Sequence, residues 1–425
     1  MHKKGSMMIN LIIFTIGIVV YAGYGVSVLY LLTVTLLSYL AGQLIPRHRW
    51  IMWVSTSLQA MLLLLLRVQH WLPCPSLTAP VGISYFTLQI IAYHVDLYRG
   101  KYEPEKNLLR FGLFVTWLPH IFIGPIEPYP RMHDALEKRH ICGDNFLKGA
   151  VRSLWGLFQK LVIASRLGVI VSAISADPEQ FNGAFALAAM LLYAVQLYAD
   201  FSGGIDIVLG VSRMLGIRMS ENFDAPYFSQ SVSEFWRRWH ITLGGWLREY
   251  VYIPLGGSRR GKLRKFLNTI AVFLVSGIWH GGGYLLWGLM HGIFVFFGDR
   301  LKTGSKTFNR AVTFLLVSFL WSFFIWPDTA TVLEMAGSVF TVFNYNLLFT
   351  GISGMGLSLG DWIVLGVACL LLGLYDSKSR RLRAKFCAFS PAAKFSVICL
   401  LALTVLTFGM YGIGFSASEF IYSRF

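Results

Sequence analysis

The chain is poor in charged residues for its length. Of its 425 residues, 14% are Asp, Glu, Lys or Arg, whereas 55% are hydrophobic. A typical soluble domain carries about 25% charged residues. Apolar runs of about 16 residues or more recur along the whole chain, a pattern typical of polytopic membrane proteins. This composition excludes a soluble enzyme and a disordered chain, and it predicts an all-α protein that crosses a membrane repeatedly.

Cysteine is scarce, and acidic residues are fewer than basic ones. The five cysteines are scattered at Cys74, Cys142, Cys369, Cys387 and Cys399. They form no CxxC pair and the histidines lack metal-ligand spacing, so neither a metal site nor a disulfide framework is predicted. The 37 Lys and Arg residues exceed the 21 Asp and Glu residues. Since the basic residues gather in short loops between apolar runs, the positive-inside rule explains the excess, and nucleic acid is not an expected partner.

Clusters of Lys and Arg orient the predicted spans. The clusters at residues 3–4, 47–49, 99–101, 259–265, 300–310 and 378–385 are predicted to be cytoplasmic. They delimit apolar segments at 7–22, 24–45, 50–68, 81–98, 266–278, 284–297 and 391–413, with 69–80 as an outer loop. Segments 266–278 and 284–297 are short, which predicts a tilted or re-entrant hairpin. We therefore expect roughly ten spans, plus re-entrant or interfacial helices, in one membrane domain over residues 1–425.

His291 is a polar side chain near the middle of an apolar segment. Such residues are costly in a membrane and are usually kept for a pathway, a partner or chemistry. Gly288 and Gly292 remove side-chain bulk beside it, as a long substrate arm would require. His280 lies eleven residues earlier and would share its helix face if three glycines did not interrupt the helix. The alternative for His291 is a core histidine that is hydrogen-bonded to a neighbouring helix.

A second concentration of polar and aromatic residues runs from Ser233 to Tyr250. Read as one helix, the run places Phe235, Trp239, Leu243, Trp246 and Tyr250 on one stripe, and Arg237, Arg238 and Arg248 elsewhere. This pattern is typical of an interfacial amphipathic helix. An interfacial anchor does not explain His240, which follows arginines able to bind phosphate or carboxylate. The run is therefore also a candidate binding site for an anionic substrate.

Asp200 and Asp206 follow an apolar run in the sequence DFSGGID. Paired carboxylates inside a membrane can form an ion path, which keeps a proton-coupled transporter among the alternatives. An aspartate beside glycines can instead cap a broken helix. The structural role is favoured here, and the functions of both residues stay open.

Several motifs together resemble the membrane-bound O-acyltransferase family, in particular its bacterial alginate O-acetyltransferase-like branch. They are DFSGGIDI (200–207), ENFDAPYFSQSVSEFWRRWHITL (221–243), WLREYVYIPLGGSRRG (246–261), WHGG (279–282) and WGLMHG (287–292), with VGISYFTLQIIAYHVDLYRG (81–100) and IGPIEPY (123–129) upstream. The motif core is 200–292. The chain departs from this branch at Gly203-Gly204 and Gly244-Gly245, where Gly-Tyr and serines are common.

The resemblance implies a helical membrane enzyme, with its helices around a transmembrane tunnel. It implies that His291 is the catalytic histidine, accepting the proton of an attacking hydroxyl, and that His240 positions the donor or polarises its carbonyl. Trp236, Arg237, Arg238 and Trp239 would line the donor entrance, and His280 and Trp287 would complete the substrate-binding residues. The donor would be a cytoplasmic acyl thioester, acetyl-CoA or an acyl carrier protein, with no bound cofactor.

The acceptor would be a hydroxyl on an extracytoplasmic partner protein or polysaccharide. The protein would lie in the cytoplasmic (inner) membrane of a bacterium, in contact with membrane lipid. A related branch transfers D-alanyl groups from a carrier protein toward teichoic acid, and it is the nearest alternative. A proton-coupled transporter and a scaffold for polymer export are the non-enzymatic alternatives. The sequence names no acceptor polymer.

Overall fold

The part of the protein that the structure describes is built of helices. The computed structural model describes residues 2–69, 79–121, 123–326 and 328–411. The regular elements within these ranges are helical, as predicted. Most of the predicted outer loop (70–78) and the end of the predicted last span (412–413) lie outside the described residues.

The described ranges contain nineteen α-helices. In chain order they are α1 His2–Ala22, α2 Ser27–Leu44, α3 Trp50–Val68, α4 Ile83–Tyr98, α5 Leu108–Thr116, α6 Leu118–Ile121, α7 Tyr129–Glu137, α8 Gly143–Phe158, α9 Ser165–Ala176, α10 Ala184–Met214, α11 Val232–Arg238, α12 Ile241–Leu247, α13 Gly261–His280, α14 Leu285–Phe297, α15 Lys306–Trp321, α16 Thr329–Thr341, α17 Tyr345–Ser353, α18 Leu359–Ala388 and α19 Pro391–Phe408. Two π-helical segments, Gln159–Ala164 and Arg248–Tyr252, continue α8 and α12.

Seven helices of the described chain are long and apolar enough to cross a membrane, and an eighth is added if α16 and α17, bent by 113°, count as one span. This count is below the roughly ten spans predicted. The difference comes from short apolar segments, such as α4 with 16 residues and α14 with 13. A straight crossing needs about 20 residues. The protein is nevertheless a multi-pass membrane protein. Helix α3 begins and ends where the predicted segment 50–68 does.

Two long helical segments form the centre of the fold. α8, its π-helical segment and α9 make one stretch of 34 residues, which packs against the 31 residues of α10. At their contact, glycines face backbone: a Cβ on Gly156 would lie 2.3 Å from the Gly203 carbonyl oxygen, and one on Gly149 would lie 2.5 Å from that of Gly210. The missing side chains let the two backbones touch, as in small-residue packing of membrane helices. We call this contact the glycine seam.

α13 and α14 form the predicted hairpin, which folds back through residues 281–284. α11 lies against α14 and α15. This packing brings the second polar run of the sequence onto the helix that carries His291.

Candidate active site

The run from Ser233 to Tyr250 is two short helices with a sharp break between them, and the prediction of one continuous helix is wrong. Ser231 caps α11 by accepting a hydrogen bond from the Glu234 amide at 3.2 Å. Trp239 is then extended, and His240 has a left-handed backbone with φ of 46°. A left-handed non-glycine residue is uncommon and marks a position held by its surroundings. The break turns the His240 ring into the protein.

His240 is 1% exposed. Its Nδ1 lies 3.3 Å from the Asn222 side-chain oxygen, which also accepts hydrogen bonds from the Thr242 amide and hydroxyl at 3.0 Å each. The edge of the ring meets Phe201 with centroids 5.0 Å apart. Asn222 therefore holds both the histidine and the start of α12, and it is a site residue that the sequence reasoning missed.

His291 is completely buried, with 0% exposure. The Trp236 indole N–H donates to its Nδ1 at 3.0 Å. Because an indole nitrogen can only donate, Nδ1 carries the lone pair, and the proton of the neutral ring is on Nε2. Nε2 is buried and has no hydrogen-bond partner among the described residues. The structure thus assigns the tautomer of His291 through its contact with Trp236.

Aromatic rings enclose His291. Trp287 lies 4.8 Å from it, Trp321 5.7 Å and Phe273 6.0 Å, measured between ring centroids. Trp321 and Phe273 were not among the predicted site residues, because apolar helix positions in α13 and α15 carry no sequence signal of a site. The enclosure excludes water, which strengthens electrostatic interactions with any charge that develops at the ring.

The three histidines of the site are connected through tryptophans. His240 lies 6.2 Å from Trp279, which contacts His280 at 4.7 Å. His280 in turn lies 5.2 Å from Trp287, the neighbour of His291. Although α13 ends at His280, the hairpin brings it to the same site as His291. His280 Nδ1 lies 2.7 Å from the Ser276 carbonyl oxygen, which fixes this ring as part of the wall.

Three of the predicted substrate-binding residues lie away from His291. Arg237 is exposed and donates to Ser233 Oγ at 2.9 Å, and Arg238 forms an ion pair with Glu234 at 2.6 Å. Trp239 is 0% exposed and stacks on Phe235. The helical turn explains the positions of Arg237 and Arg238, since residues one and two positions after Trp236 point away from its face. Trp239 follows the end of α11, where the backbone is extended. Trp236 and Trp287 lie against His291, and His280 lies against Trp287; their substrate-binding role stays a prediction.

Gly288 and Gly292, beside His291, allow close helix packing. The prediction that they open space for a substrate arm is wrong. A Cβ on Gly288 would lie 2.3 Å from the Phe273 carbonyl oxygen, and one on Gly292 would lie 2.9 Å from Ile270 Cδ1. Both glycines therefore face α13. Their role is to hold α14 against α13, which sets the position of His291.

Gly288→Ala should separate α13 from α14, because the Phe273 carbonyl oxygen cannot move without shifting α13. We expect a lower unfolding temperature in detergent and a loss of site geometry, with a cost of about 1–3 kcal/mol for overpacking. Gly283→Ala is the matched control, since nothing lies within 4 Å of its Cβ position. Scanning fluorimetry of the two purified variants would measure the effect, and equal unfolding temperatures would contradict the packing role.

Asp200 and Asp206 have cationic partners on the neighbouring segment. Lys160 Nζ donates to Asp200 at 2.6 Å, and Arg152 Nε donates to Asp206 at 2.8 Å. Gln159 adds a hydrogen bond to Asp206 at 3.1 Å. α10 is continuous through both residues, so the predicted cap of a broken helix is wrong. The carboxylates instead fasten α10 to the segment beside it, which supports the structural role.

Three cavities open on the side where the basic loops gather. One, of about 270 Å³, is lined by Ser202, Asp206 and Ile241, the residue after His240. A second cavity, of about 440 Å³, is lined by Thr242 and shares Ile241 with the first. A third, of about 590 Å³, shares Asp224 and Asp376 with the first; its basic residues are Arg238, Arg310, Lys378 and Arg381. We call the third cavity the basic pocket. A tunnel to His291 stays a prediction.

A polar cluster holds α4 against the π-helical segment 248–252 at the same side. Arg99 and Lys101 both lie 2.9 Å from a Glu249 oxygen, and Tyr250 donates to Asp96 at 2.8 Å. The hydrogen bond from Lys101 lowers the pKa of the Glu249 carboxyl. Glu249 therefore stays ionised to a lower pH than a free glutamate. The ion pair between Arg99 and Glu249 connects the motif 81–100 to the motif 246–261.

The fold is that of a multi-pass membrane protein with an enclosed histidine site. Residues 31–327 match the model of the membrane-bound O-acyltransferase family. The chain belongs to this family, which confirms the resemblance seen in its motifs. The match includes His240, His280 and His291, and it ends before α18 and α19.

The chain is similar to several curated bacterial proteins. It is 36% identical over 310 residues to the probable alginate O-acetylase AlgI of Pseudomonas fluorescens, covering 71% of this chain and 62% of the relative. It is 32% identical over 286 residues to the peptidoglycan O-acetyltransferase of Helicobacter pylori, covering 58% and 54%. It is 29% identical over 280 residues to the teichoic acid D-alanyltransferase of Streptococcus thermophilus, covering 62% and 67%. The chain thus spans about three fifths of the length of the alginate O-acetylases that it matches.

Proposed function

We propose that the protein is a membrane O-acyltransferase that moves an acetyl group from a cytoplasmic thioester to a hydroxyl beyond the membrane. The observation that carries this proposal is His291: a fully buried imidazole inside an aromatic enclosure, with a defined lone pair on Nδ1. Transport of protons is a weaker explanation, because Asp200 and Asp206 are both bound to cations.

In the proposed reaction, the acceptor hydroxyl donates its hydrogen bond to His291 Nδ1 in place of Trp236. The hydroxyl oxygen attacks the thioester carbonyl carbon while Nδ1 takes its proton. The carbon–sulfur bond then breaks, and the departing thiolate takes the proton from the imidazolium. The products are an ester and a free thiol, and His291 returns to its neutral form.

The basic pocket supports a donor that carries phosphate. Acetyl-CoA and a phosphopantetheine-bearing carrier protein both present phosphates next to a thioester arm. Arg310, Lys378 and Arg381 would meet those phosphates, and the arm would pass the neighbouring cavity to reach His240. In this proposal Arg238 acts at the basic pocket, which it lines, and His240 orients the thioester carbonyl. No bound cofactor is required.

The acceptor is proposed to be an envelope polysaccharide or an extracytoplasmic partner protein that carries the acyl group onward. The alginate O-acetylases and the peptidoglycan O-acetyltransferase among the relatives support an acetyl group and an envelope polysaccharide. The proposed location is the cytoplasmic membrane of a bacterium. D-alanyl transfer is the second candidate, supported by the teichoic acid D-alanyltransferase relatives, which are less similar.

Mass spectrometry of base-labile acyl groups on the envelope polymers of producing cells would test this function. The comparison is between wild type and His291→Ala at matched membrane levels. We expect acetate to be lost from one polymer fraction in the variant, which would also identify the polymer. Loss of D-alanine instead would show that the transferred group is D-alanyl, while His291 would keep its role. Unchanged acetate and D-alanine would contradict the acyltransferase proposal.

A further inference from the structure

A cavity of about 400 Å³ lies between α8, α10, α18 and α19, and it meets the 270 Å³ cavity at Arg152 and Glu221. Two of these helices, α18 and α19, lie beyond the residues that match the family. The cavity has a cationic end and an apolar end. The cationic end is formed by Lys148, Arg152 and Arg213, and the apolar wall by Val151, Trp155, Tyr375, Leu382, Phe386 and Leu401.

At the cationic end, Arg213 forms no ion pair with a carboxylate of the described residues. Glu221 is the acidic residue of the lining, and both of its oxygens are taken by Arg152, at 2.7 and 2.5 Å. Lys148 is bound to Asp144, which also accepts from Lys394 at 2.7 Å. Arg213 makes no hydrogen bond or ion pair with any residue that the structure describes, and its Nε is buried. A guanidinium in this state favours an anionic ligand.

The apolar end of the cavity lies along α8, beyond Lys148. Trp155 is seven residues after Lys148 on α8, about 10 Å farther along the helix axis. It stacks on Phe158 and lies 4.6 Å from the Tyr375 ring. Its indole N–H is a second buried donor of the lining without a hydrogen-bond partner in the described chain. Outside the cavity, the faces of α18 and α19 expose large apolar side chains, such as Leu370 at 63% and Leu400 at 65%.

We infer that this cavity binds the headgroup and upper acyl chain of an anionic phospholipid from the leaflet on the basic-loop side. Arg213 would hold the phosphate, with Lys148 adding positive charge, and the acyl chain would lie along Trp155, Leu382 and Phe386. The combination of a charged end at headgroup level with an aromatic and aliphatic wall is what a phospholipid matches and a free anion does not. This inference does not depend on the acyl-transfer reaction.

Native mass spectrometry of the full-length protein in detergent, titrated with phosphatidylglycerol or phosphatidylcholine, would test the site. We expect one phosphatidylglycerol to be retained more tightly than phosphatidylcholine. Arg213→Gln should weaken that retention by about fivefold or more, the factor for one basic residue at an anionic surface. Arg218→Gln is the matched control, since Arg218 is exposed and outside the cavity lining. Glycerol 3-phosphate, without acyl chains, should not displace the lipid.

Equal retention by the Arg213 and Arg218 variants, or equal retention of the two lipids by wild type, would overturn the inference. Quenching of tryptophan fluorescence by phosphatidylglycerol with brominated acyl chains gives a second measurement if Arg213→Gln does not fold. Trp155→Phe should remove a quenched component that wild type shows. Quenching that is unchanged by this substitution would place the lipid elsewhere and would also overturn the inference.

Discussion

Replacing His291 with glutamine is expected to lower the rate of acyl transfer by about 10²–10⁴-fold, the usual loss when a general base is removed. Glutamine fills much of the same volume, so the aromatic enclosure should remain. The measurement is the release of free thiol from acetyl-CoA by proteoliposomes that contain an acceptor. A variant with turnover near that of wild type would disprove the role of His291.

Two further substitutions make that result specific. His94 is also fully buried, but both of its nitrogens are bound, to Ser55 and to the Ser38 carbonyl. His94→Gln should therefore lower stability while turnover by the folded fraction changes little. Trp236→Phe keeps a ring against His291 and removes the N–H on Nδ1. Since the proposed hydroxyl displaces that N–H, we expect a lower KM for the acceptor and a change in kcat below about tenfold.

Lys160→Met is expected to lower the free energy of unfolding by about 3–5 kcal/mol, the usual cost of breaking a buried ion pair by removing one partner. The substitution takes the ammonium group from Asp200, whose side chain is 2% exposed. Thermal unfolding in detergent would measure the effect. Lys160→Met/Asp200→Leu should recover most of the loss, because it removes both charges together.

An exposed pair in the same protein provides the comparison. Lys138 and Asp134 are 2.9 Å apart, with side chains 76% and 58% exposed. Lys138→Met should leave the unfolding temperature unchanged, since water screens such pairs. If Lys160→Met behaved like Lys138→Met, the carboxylate of Asp200 would have no structural role, and a proton-carrying role would regain support.

The sequence predicted the class of fold and the identity of the central histidines, because hydropathy, basic loops and motif spacing are local properties. It could not predict the break at His240, since the periodicity of Phe235, Trp239 and Leu243 fits a continuous helix equally well. The prediction that Gly288 and Gly292 open space for a substrate was wrong. A sequence shows that these positions lack a side chain, but it does not show that they face a neighbouring helix.

Partnerships between distant residues were likewise beyond the sequence. Lys160 and Arg152 precede their aspartates by 40 and 54 positions, and no local pattern connects them. Asn222 was overlooked because an asparagine before FDAPYF carries no chemical signal by itself. Its contact with His240 and Thr242 arises from the way the chain returns after α10.

The glycine seam makes α8 and α10 a stiff unit. Backbones in direct contact have no side-chain layer that can deform, and Asp200 and Asp206 tie the same two segments with charge. A change of shape that admits a substrate to His291 is therefore expected in the other wall, where α11 ends at the His240 break. The α8–α10 pair then stays fixed, while α13 and α14, which Gly288 and Gly292 hold together, move as one unit.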